Sequence, residues 1–268
     1  MERRRILCVI PVGRADTDEH VGVPEGVSAP FLLDALTSEM CSLKLQREEP
    51  MPSILHVNAS PRDAHSQSLA LAQSFLGAVE AEVPGLDIHT VDLFKPGVLP
   101  EFGIAAAQAK MAVFTGSEQT PDQKRAWEAA RAVFDNFASA DAYVFNIPMW
   151  NAGVPYVFKQ WIDIITQPGW SFGFDPEHGY SGLMTGKKAV AIHTSGVYHP
   201  GVPPAFGSDF STTFVEDWLN FVGIVDADHV RFAPTVLNQD PDTSRRHAHA
   251  ELDGLVGSLA DHLLGPGS

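Results

Sequence analysis

Three serines that follow a short apolar run could together hold a phosphate group. Residues 54–58 form the apolar run, Ser60 lies in the polar loop after it, and Ser66 and Ser68 stand where a helix should begin. Backbone N–H groups in the first turn of a helix lack partners and carry the positive end of the helix dipole, so an anion can bind there without a lysine. Serine is also the usual N-cap of a helix, so this loop alone is compatible with simple capping.

Two later apolar runs, residues 142–147 and 189–193, also end in loops of small, aromatic or hydrogen-bonding residues. In an open parallel sheet, ligands bind beyond the carboxyl ends of the strands, where the strand order reverses. Three such loops at one sheet edge suit a flat aromatic ligand that carries a phosphate, and flavin mononucleotide (FMN) fits that description. The two later loops contain Pro148, Met149, Trp150, Asn151 and Ala152, and then Thr194, Ser195, Gly196, Val197 and Tyr198.

The elements that must position these loops alternate between short apolar runs and amphipathic stretches from residue 53 onward. This alternation indicates an α/β fold in which crossover helices connect the strands of a parallel sheet. Right-handed crossovers favour a doubly wound sheet of five strands in the order 2-1-3-4-5, with helices on both faces. The predicted strands are residues 54–58, 87–92, 142–147, 189–193 and 229–234, and the predicted helices are residues 68–82, 121–138, 154–165, 210–222 and 244–264.

Composition restricts the possible partners. The chain has 268 residues and a formal net charge of -15 at pH 7, so it lacks the basic face that nucleic acid and anionic membranes require. We therefore expect neither as a partner. The chain has two cysteines, Cys8 and Cys41, and both precede the predicted strands, so disulfides are not expected to stabilise the fold and a cytoplasmic location fits.

Residues 1–50 differ in character from the rest of the chain. We predict that they form a poorly structured N-terminal extension or precede the natural start of translation, and that residues 51–268 form one domain. An arginine cluster at residues 3–5 before an apolar run imitates a secretory leader, but the run stops at Pro11 and no convincing cleavage site follows.

Four segments, taken together and in this order, resemble the FMN-dependent NADH-azoreductases and NAD(P)H quinone reductases of flavodoxin-like fold. The resemblance extends from residue 53 to the final predicted helix, and it depends on the combination because none of the segments is specific alone. The segments are Ala59-Ser60-Pro61-Arg62 with Ser66-Gln67-Ser68, then Pro148-Met149-Trp150-Asn151, then Pro168-Gly169-Trp170-Ser171-Phe172, then Gly186-Lys187-Lys188 before the run that ends in Thr194-Ser195-Gly196.

The resemblance implies a role in FMN binding for each loop. In the family, the first loop holds the FMN phosphate, the second packs against the isoalloxazine ring, and the third lies near its pyrimidine edge. The third loop commonly reads Ser-Arg-Gly-Gly in the family, whereas this chain departs from that pattern after its serine, so we expect a different turn geometry there. The implied FMN contacts are Ser60, Ser66, Gln67 and Ser68, then Pro148, Met149, Trp150, Asn151 and Ala152, then Thr194, Ser195, Gly196 and Val197.

The resemblance also implies an activity. NADH or NADPH would reduce FMN, and a quinone or an azo compound would then take two electrons in the same space, with ping-pong kinetics. The flavin carries this chemistry, so we expect no catalytic acid or base from the protein. Phe172 and Tyr198 are the expected substrate-pocket residues. Family members form two-fold dimers with FMN at the interface, so we expect a homodimer in which Phe172 and residues 93–120 approach the partner's pocket.

Two other functions remain open for this fold. A flavodoxin-like electron carrier would use the same loops without space for a nicotinamide, and the segments at residues 93–120 and 170–180 argue against it. A non-enzymatic, nucleotide-sensing regulator is favoured if the altered third loop abolishes flavin binding.

Histidines and lysines outside the loops are predicted to be structural. His193 and His199 would lie on a strand end and a loop, while His247 and His249 stand at i and i+2 of a helix and would point apart. We therefore expect no metal site. The lysine pair at residues 187–188, in a turn before a strand, is predicted to lie at the surface.

A translation start at Met51 predicts a native protein whose mass is that of residues 51–268, with or without its first methionine, because Met51-Pro-Ser directly precedes the first strand. Intact-mass spectrometry of protein from its natural source is the measurement. A mass that includes residues 1–50 would contradict this start site.

Overall fold

The computed structural model describes residues 51–265, and the predictions made for residues 1–50, Cys8 and Cys41 lie outside this part of the chain. The strands are β1 (Ser53–Asn58), β2 (Asp87–Asp92), β3 (Ala142–Pro148), β4 (Phe172–Asp175), β5 (Gly179–Gly182), β6 (Lys188–Thr194) and β7 (Asp226–Phe232). The helices are α1 (Gln67–Glu82), α2 (Ile104–Thr115), α3 (Pro121–Ser139), α4 (Tyr156–Ile165), α5 (Thr212–Val222) and α6 (Pro241–Leu264).

Five of these strands form one sheet in the order β2-β1-β3-β6-β7, and every neighbouring pair in it is parallel. Numbered along the chain, these five strands have the predicted doubly wound order 2-1-3-4-5, which confirms the fold class. The chain direction across the sheet reverses between β1 and β3, so ligands of such a fold bind beyond the carboxyl ends of these two strands. β4 and β5 form a separate antiparallel hairpin.

Alternate side chains of the strands point to opposite faces of the sheet, and each face has its own helices. On one face, Tyr143 and Phe145 of β3 pack in a cluster with α3, α4 and α5. On the other face, Ile54 of β1 and Val144 of β3 pack in a mainly aliphatic cluster with α1 and α6. The three central strands are therefore buried on both sides, which is why they read as nearly continuous apolar runs.

Phe145 is at the centre of the aromatic face. Its ring centroid lies 5.9 Å from that of Phe158, 5.9 Å from Trp161 and 6.1 Å from Trp218, and its side chain is fully buried. Large aromatic side chains dominate the energetics of a core, and pairs at these separations add to the burial of their area. The cluster fixes α4 and α5 on the sheet, and it thereby positions the loops that precede these two helices.

The segment at residues 93–120 contains a helix, α2, that the sequence did not predict. Its sequence is rich in alanine and apolar on every side, so it lacks the periodicity of an amphipathic helix. Gly116 ends α2 in a left-handed conformation (φ 66°), and a capping box formed by Thr120 and Gln123 then begins α3. Within residues 51–265, no helix is long and apolar enough to cross a membrane.

The structure corrects two predictions near β6 and β7. The last strand of the sheet begins at Asp226, not at residue 229, and it ends at Phe232. Lys188 is not at the surface, because parallel pairing sets it beside Asp226, and its Nζ lies 2.6 Å from Asp226 Oδ1 and 3.1 Å from Asp228 Oδ2. Burial opposes the charge on Lys188, but hydrogen bonds to the two carboxylates outweigh it and raise its pKa. These partners explain why a charged side chain is tolerated there.

Replacement of Phe145 by alanine should lower the free energy of unfolding by about 3–5 kcal/mol, because it leaves a cavity among packed aromatic rings. Urea unfolding of the flavin-free protein, followed by tryptophan fluorescence, measures the change. The matched control is Phe114→Ala, since Phe114 is 55% exposed on α2 and should contribute within about 0.5 kcal/mol. Equal losses for the two variants would contradict the assignment of Phe145 to the core.

Candidate functional site

The carboxyl ends of β1, β3 and β6 meet at one edge of the sheet, as the sequence predicted. Asn58 at the end of β1 is paired with Asn146 of β3, and Pro148 at the end of β3 is paired with Thr194 at the end of β6. The N–H of Met149 donates to the carbonyl of Thr194 at 2.7 Å. The three predicted loops therefore start side by side, and the second is tied directly to the third.

The first loop holds its three serines in buried positions. Ser60, Ser66 and Ser68 are each less than 5% exposed. Ser66 is the N-cap of α1, its Oγ accepts a hydrogen bond from the N–H of Leu69 at 3.2 Å, and it lies 3.3 Å from Ser68 Oγ. The capping interpretation is thus correct for Ser66. The first turn of α1, which starts at Gln67, contains no acidic side chain, so its amides and dipole remain suited to an anion.

A cation beside the first loop comes from a distant part of the chain. Arg245 of α6 donates from Nη2 to Gln67 Oε1 at 3.3 Å, and its guanidinium carbon lies 5.6 Å from the ring centroid of Phe232. Sequence reasoning missed Arg245, because 178 residues separate it from Gln67 and only its place near the start of a helix was visible. Its Nη1 also pairs with Asp242 Oδ1 at 2.9 Å, so it places a partly neutralised guanidinium near the helix terminus.

The second loop is a tight turn. Trp150 and Gly153 exchange two backbone hydrogen bonds of 2.9 and 3.0 Å, and the two residues between them, Asn151 (φ 49°) and Ala152 (φ 66°), have left-handed backbone conformations. Two successive residues with positive φ are typical of a type I′ turn. The N–H of Phe210 donates to the carbonyl of Ala152 at 2.8 Å, so the connection after β6 supports this turn. Trp150 remains 48% exposed.

A cavity of about 520 Å³ opens between the first and second loops. This volume is within the usual range for small-molecule sites. Sequence reasoning missed two aromatic residues of its wall, Phe94 after β2 and Tyr156 at the start of α4, whose ring centroids lie 5.8 Å apart in an edge-to-face arrangement. In the sequence, the only indication of their role was that each is a bulky aromatic residue next to the end of a predicted strand or helix. The lining residues are Pro61, Phe94, Trp150, Asn151, Gly153, Val154, Pro155 and Tyr156.

A much smaller cavity at the end of β6 contains Tyr198, so this residue lies apart from the larger cavity. His193 also lines it, and His193 Nε2 is 3.1 Å from His229 Nδ1. Burial and then the positive charges of His229 and Arg231 lower the pKa of His193 to about 3, so its imidazole is neutral at pH 7. Across residues 51–265, no three His, Cys, Asp or Glu side chains are grouped so that they could hold a metal ion.

The third loop is held by the segment after β7, a contact that the sequence did not predict. The carbonyl of Ser195 accepts from the N–H of Thr235 at 2.8 Å, and the carbonyl of Gly196 accepts from the N–H of Val236 at 2.7 Å. Val197 lines neither cavity. The loop that departs from the family pattern therefore has a backbone support of its own.

Phe172 is buried within the β4–β5 hairpin. Its ring centroid lies 5.1 Å from that of Phe221 and 5.7 Å from that of Tyr180. It does not line the cavity between the first and second loops. A contact between Phe172 and a substrate would have to involve a second subunit, and it stays a prediction.

The chemistry of these residues fits FMN. Buried hydroxyl groups at a helix N-terminus suit a phosphate, and the aromatic wall suits a flat ring. The cavity lining includes no carboxylate, imidazole or amine. Its aromatic and amide side chains can bind and orient a flat ligand.

Comparison with known proteins agrees with this fit. A family model described as "Flavodoxin-like fold" matches residues 52–255. An FMN-dependent NADH:quinone oxidoreductase from Ruegeria pomeroyi is 43% identical over 202 residues, which cover 75% of this chain and 98% of that protein. A protein of the same name from Desulfotalea psychrophila is 38% identical over 215 residues, which cover 80% of this chain and 98% of that protein.

Solved structures share the fold. An azoreductase from Bacillus anthracis has a TM-score of 0.68 and 25% sequence identity, and the match covers 79% of this chain and 100% of that one. An FMN-dependent NADH-azoreductase from the same species, in complex with FMN, has a TM-score of 0.69 and 24% identity, with 78% and 99% of the two chains covered.

Replacement of Ala152 by valine should destabilise the protein by about 1–2 kcal/mol, because a β-branched side chain is strained at positive φ. Ala152→Gly is the matched control and should cause no such loss, since glycine adopts this conformation freely. Thermal unfolding of the flavin-free variants gives the comparison. If valine and glycine have the same effect, the second loop does not form the turn described.

Proposed function

Because the chain belongs to the Flavodoxin_2 family of flavodoxin-like proteins, we propose that it is an FMN-dependent oxidoreductase that passes two electrons from NADH to quinones or azo compounds. Its relatives named FMN-dependent NADH:quinone oxidoreductase are similar over nearly their whole length, which favours the same activity here. One observation carries the proposal: a helix N-terminus suited to phosphate and an aromatic-walled cavity of about 520 Å³ lie at the same sheet edge.

We propose that the first loop binds the FMN phosphate. The hydroxyl groups of Ser60 and Ser66 and the first-turn amides of Gln67 and Ser68 supply donors, and the Arg245 guanidinium, which also pairs with Asp242, lies nearby. The second and third loops then bind the isoalloxazine ring and its polar edge. Their proposed contacts are Pro148, Met149, Trp150, Asn151 and Ala152, and Thr194, Ser195, Gly196 and Val197.

When bound, FMN supplies a ring that accepts a hydride and passes the electron pair on. The protein binds the flavin, orients it and shields it from water. Trp150, Phe94 and Tyr156 provide flat apolar surfaces that exclude water beside the ring, and Asn151 provides an amide for its polar atoms. We propose that the protein supplies no catalytic acid or base, because the flavin itself carries the chemistry. NADH is the proposed donor because the relatives are named for it.

We propose that the donor and the acceptor use this cavity in turn. The donor and the acceptor would each stack on the same exposed face of the flavin, so NAD⁺ leaves before the acceptor binds. Ping-pong kinetics follow.

We also propose a homodimer in which Phe172 and Tyr198 approach substrate from the hairpin and the third loop. Exposed apolar side chains on the β4–β5 hairpin and on α2 support it, since monomeric proteins rarely leave such patches uncovered. Phe174 is 59% exposed, Tyr180 65% and Met111 58%.

We further propose a cytoplasmic protein in which residues 51–268 form the FMN-binding domain and residues 1–50 an extension. The scarcity of cysteine supports a reducing compartment. The relative from Ruegeria pomeroyi matches 202 residues of this chain over 98% of its own length, which supports a domain of that size.

The purified protein should bind FMN, and NADH added without oxygen should bleach its visible absorbance until benzoquinone restores it. Initial rates at several NADH concentrations should give parallel double-reciprocal plots. Flavin whose absorbance NADH leaves unchanged, or intersecting plots, would contradict the proposal. The double variant Ser66→Ala, Ser68→Ala should retain less FMN, because it removes the Ser66 donor and the Ser68 hydroxyl that supports it. Unchanged retention would contradict the assignment of the phosphate to the first loop.

A further inference from the structure

A chain of buried polar side chains lies behind the first loop and connects it to β2. Its members include His56 of β1, Asn146 of β3 and Ser68 of α1, all at most 2% exposed. Asn146 interrupts the largely apolar β3 sequence Ala-Tyr-Val-Phe-Asn-Ile-Pro with a side-chain amide. Buried polar groups are costly unless they are hydrogen-bonded, so the partners of Asn146 require an explanation.

One backbone N–H group fixes the direction of the hydrogen bonds around Asn146. The N–H of Ser60 can only donate, and it lies 3.0 Å from Asn58 Oδ1, which therefore accepts. The Asn146 atom that lies 2.8 Å from the same Oδ1 must then be the amide nitrogen Nδ2. This fixes the orientation of the Asn146 side chain, including the position of its Oδ1.

The imidazole of His56 is fixed in turn. Because Asn146 Oδ1 is an acceptor, His56 Nε2 at 2.9 Å carries the proton and donates to it. Burial outweighs the favourable contact with Asn146 and lowers the pKa of His56, so the ring is neutral and its Nδ1 accepts from Thr90 Oγ1 at 3.2 Å. The Thr90 hydroxyl thus donates to His56, and His56 in turn donates to Asn146.

The other end of the chain reaches the first loop. The second hydrogen of Asn146 Nδ2 points to Ser68 Oγ at 3.3 Å, and because a hydroxyl group that accepts is a stronger donor, this contact favours donation from the Ser68 hydroxyl to Ser66 Oγ, also at 3.3 Å. Ser66 Oγ already accepts from the N–H of Leu69. When Ser68 donates, both lone pairs of Ser66 Oγ are occupied, so the Ser66 hydroxyl is left to donate to another group. Each bond polarises the next one in the same direction.

We propose that Asn146 is a positioning residue that biases the Ser66 hydroxyl toward donation and so gives the first loop its preference for a phosphate over a neutral group. The inference rests on the proposed function, in which this loop binds the FMN phosphate. It assigns Asn146 a role through Ser68 and Ser66, without contact with the flavin.

Riboflavin is the probe that isolates this effect, because it has the isoalloxazine ring of FMN but no phosphate. Titration of the flavin-free protein, followed by quenching of flavin fluorescence, gives dissociation constants for both. Asn146→Leu should weaken FMN binding about tenfold or more, as expected when a charged ligand loses an oriented donor. Riboflavin affinity should stay within about twofold, because the ring lies against other loops.

Tyr143→Phe is the matched control. Tyr143 is also fully buried on β3, but its hydroxyl donates to the Phe137 carbonyl at 2.9 Å on the aromatic face of the sheet. It should leave the ratio of the two affinities unchanged. Asn146→Asp provides a second variant of the same shape in case the leucine variant does not fold. It keeps an acceptor for His56 but cannot donate to both Asn58 and Ser68, so it too should lose the preference for FMN.

Measurements in the Ser66→Ala variant test whether Asn146 acts on FMN affinity through Ser66. If Asn146 acts through Ser66, adding Asn146→Leu to Ser66→Ala should change FMN affinity little further. Additive losses, equal losses for FMN and riboflavin, or an unchanged FMN preference in both Asn146 variants would overturn the inference. A wild-type protein that binds both flavins equally would instead overturn the phosphate assignment of the proposed function, and the inference with it.

Discussion

Parallel pairing between β1 and β3 is the constraint on which the rest of this structure depends. It sets Asn58 beside Asn146 and brings the carboxyl ends of both strands to one edge. The loop that holds Ser66 and the turn that holds Trp150 then face the same cavity. An antiparallel pair would send these loops to opposite ends of the sheet, and neither could complete a site alone.

One face of the sheet mainly stabilises the fold, and the other face also supports the loop that we assign to phosphate binding. Phe145, Trp161 and Trp218 make one face an aromatic core, which holds α4 and α5 mainly by apolar packing, together with a hydrogen bond from Trp218 Nε1 to Thr166 Oγ1 at 3.0 Å. The opposite face is aliphatic over most of its area but becomes polar toward the carboxyl edge, at His56 and Asn146. These polar groups are tolerated because each has a buried partner, and those partners lead to the loop that we assign to phosphate.

Most of the fold could be predicted because its signals are local. Continuous apolar runs mark strands buried on both faces, and amphipathic stretches mark the crossover helices. The prediction failed where local pattern and tertiary environment disagree. The α2 helix is apolar on all sides, so its sequence lacks the periodicity of apolar residues that marks an amphipathic helix. Lys188 reads as a surface residue until β7 brings Asp226 and Asp228 beside it.

The sequence by itself determined the strands, the three loops and the serine-rich helix start, since these depend on neighbours within a few residues. The sheet order followed from general rules for crossover connections. Tertiary structure alone decided which distant side chains complete the site. Arg245 reaches Gln67 across 178 residues, and Phe94 meets Tyr156 because β2 and α4 converge there. The direction of the hydrogen bonds behind Ser66 was also beyond the sequence, because an amide or a hydroxyl group takes its role as donor or acceptor from the atoms that fold against it.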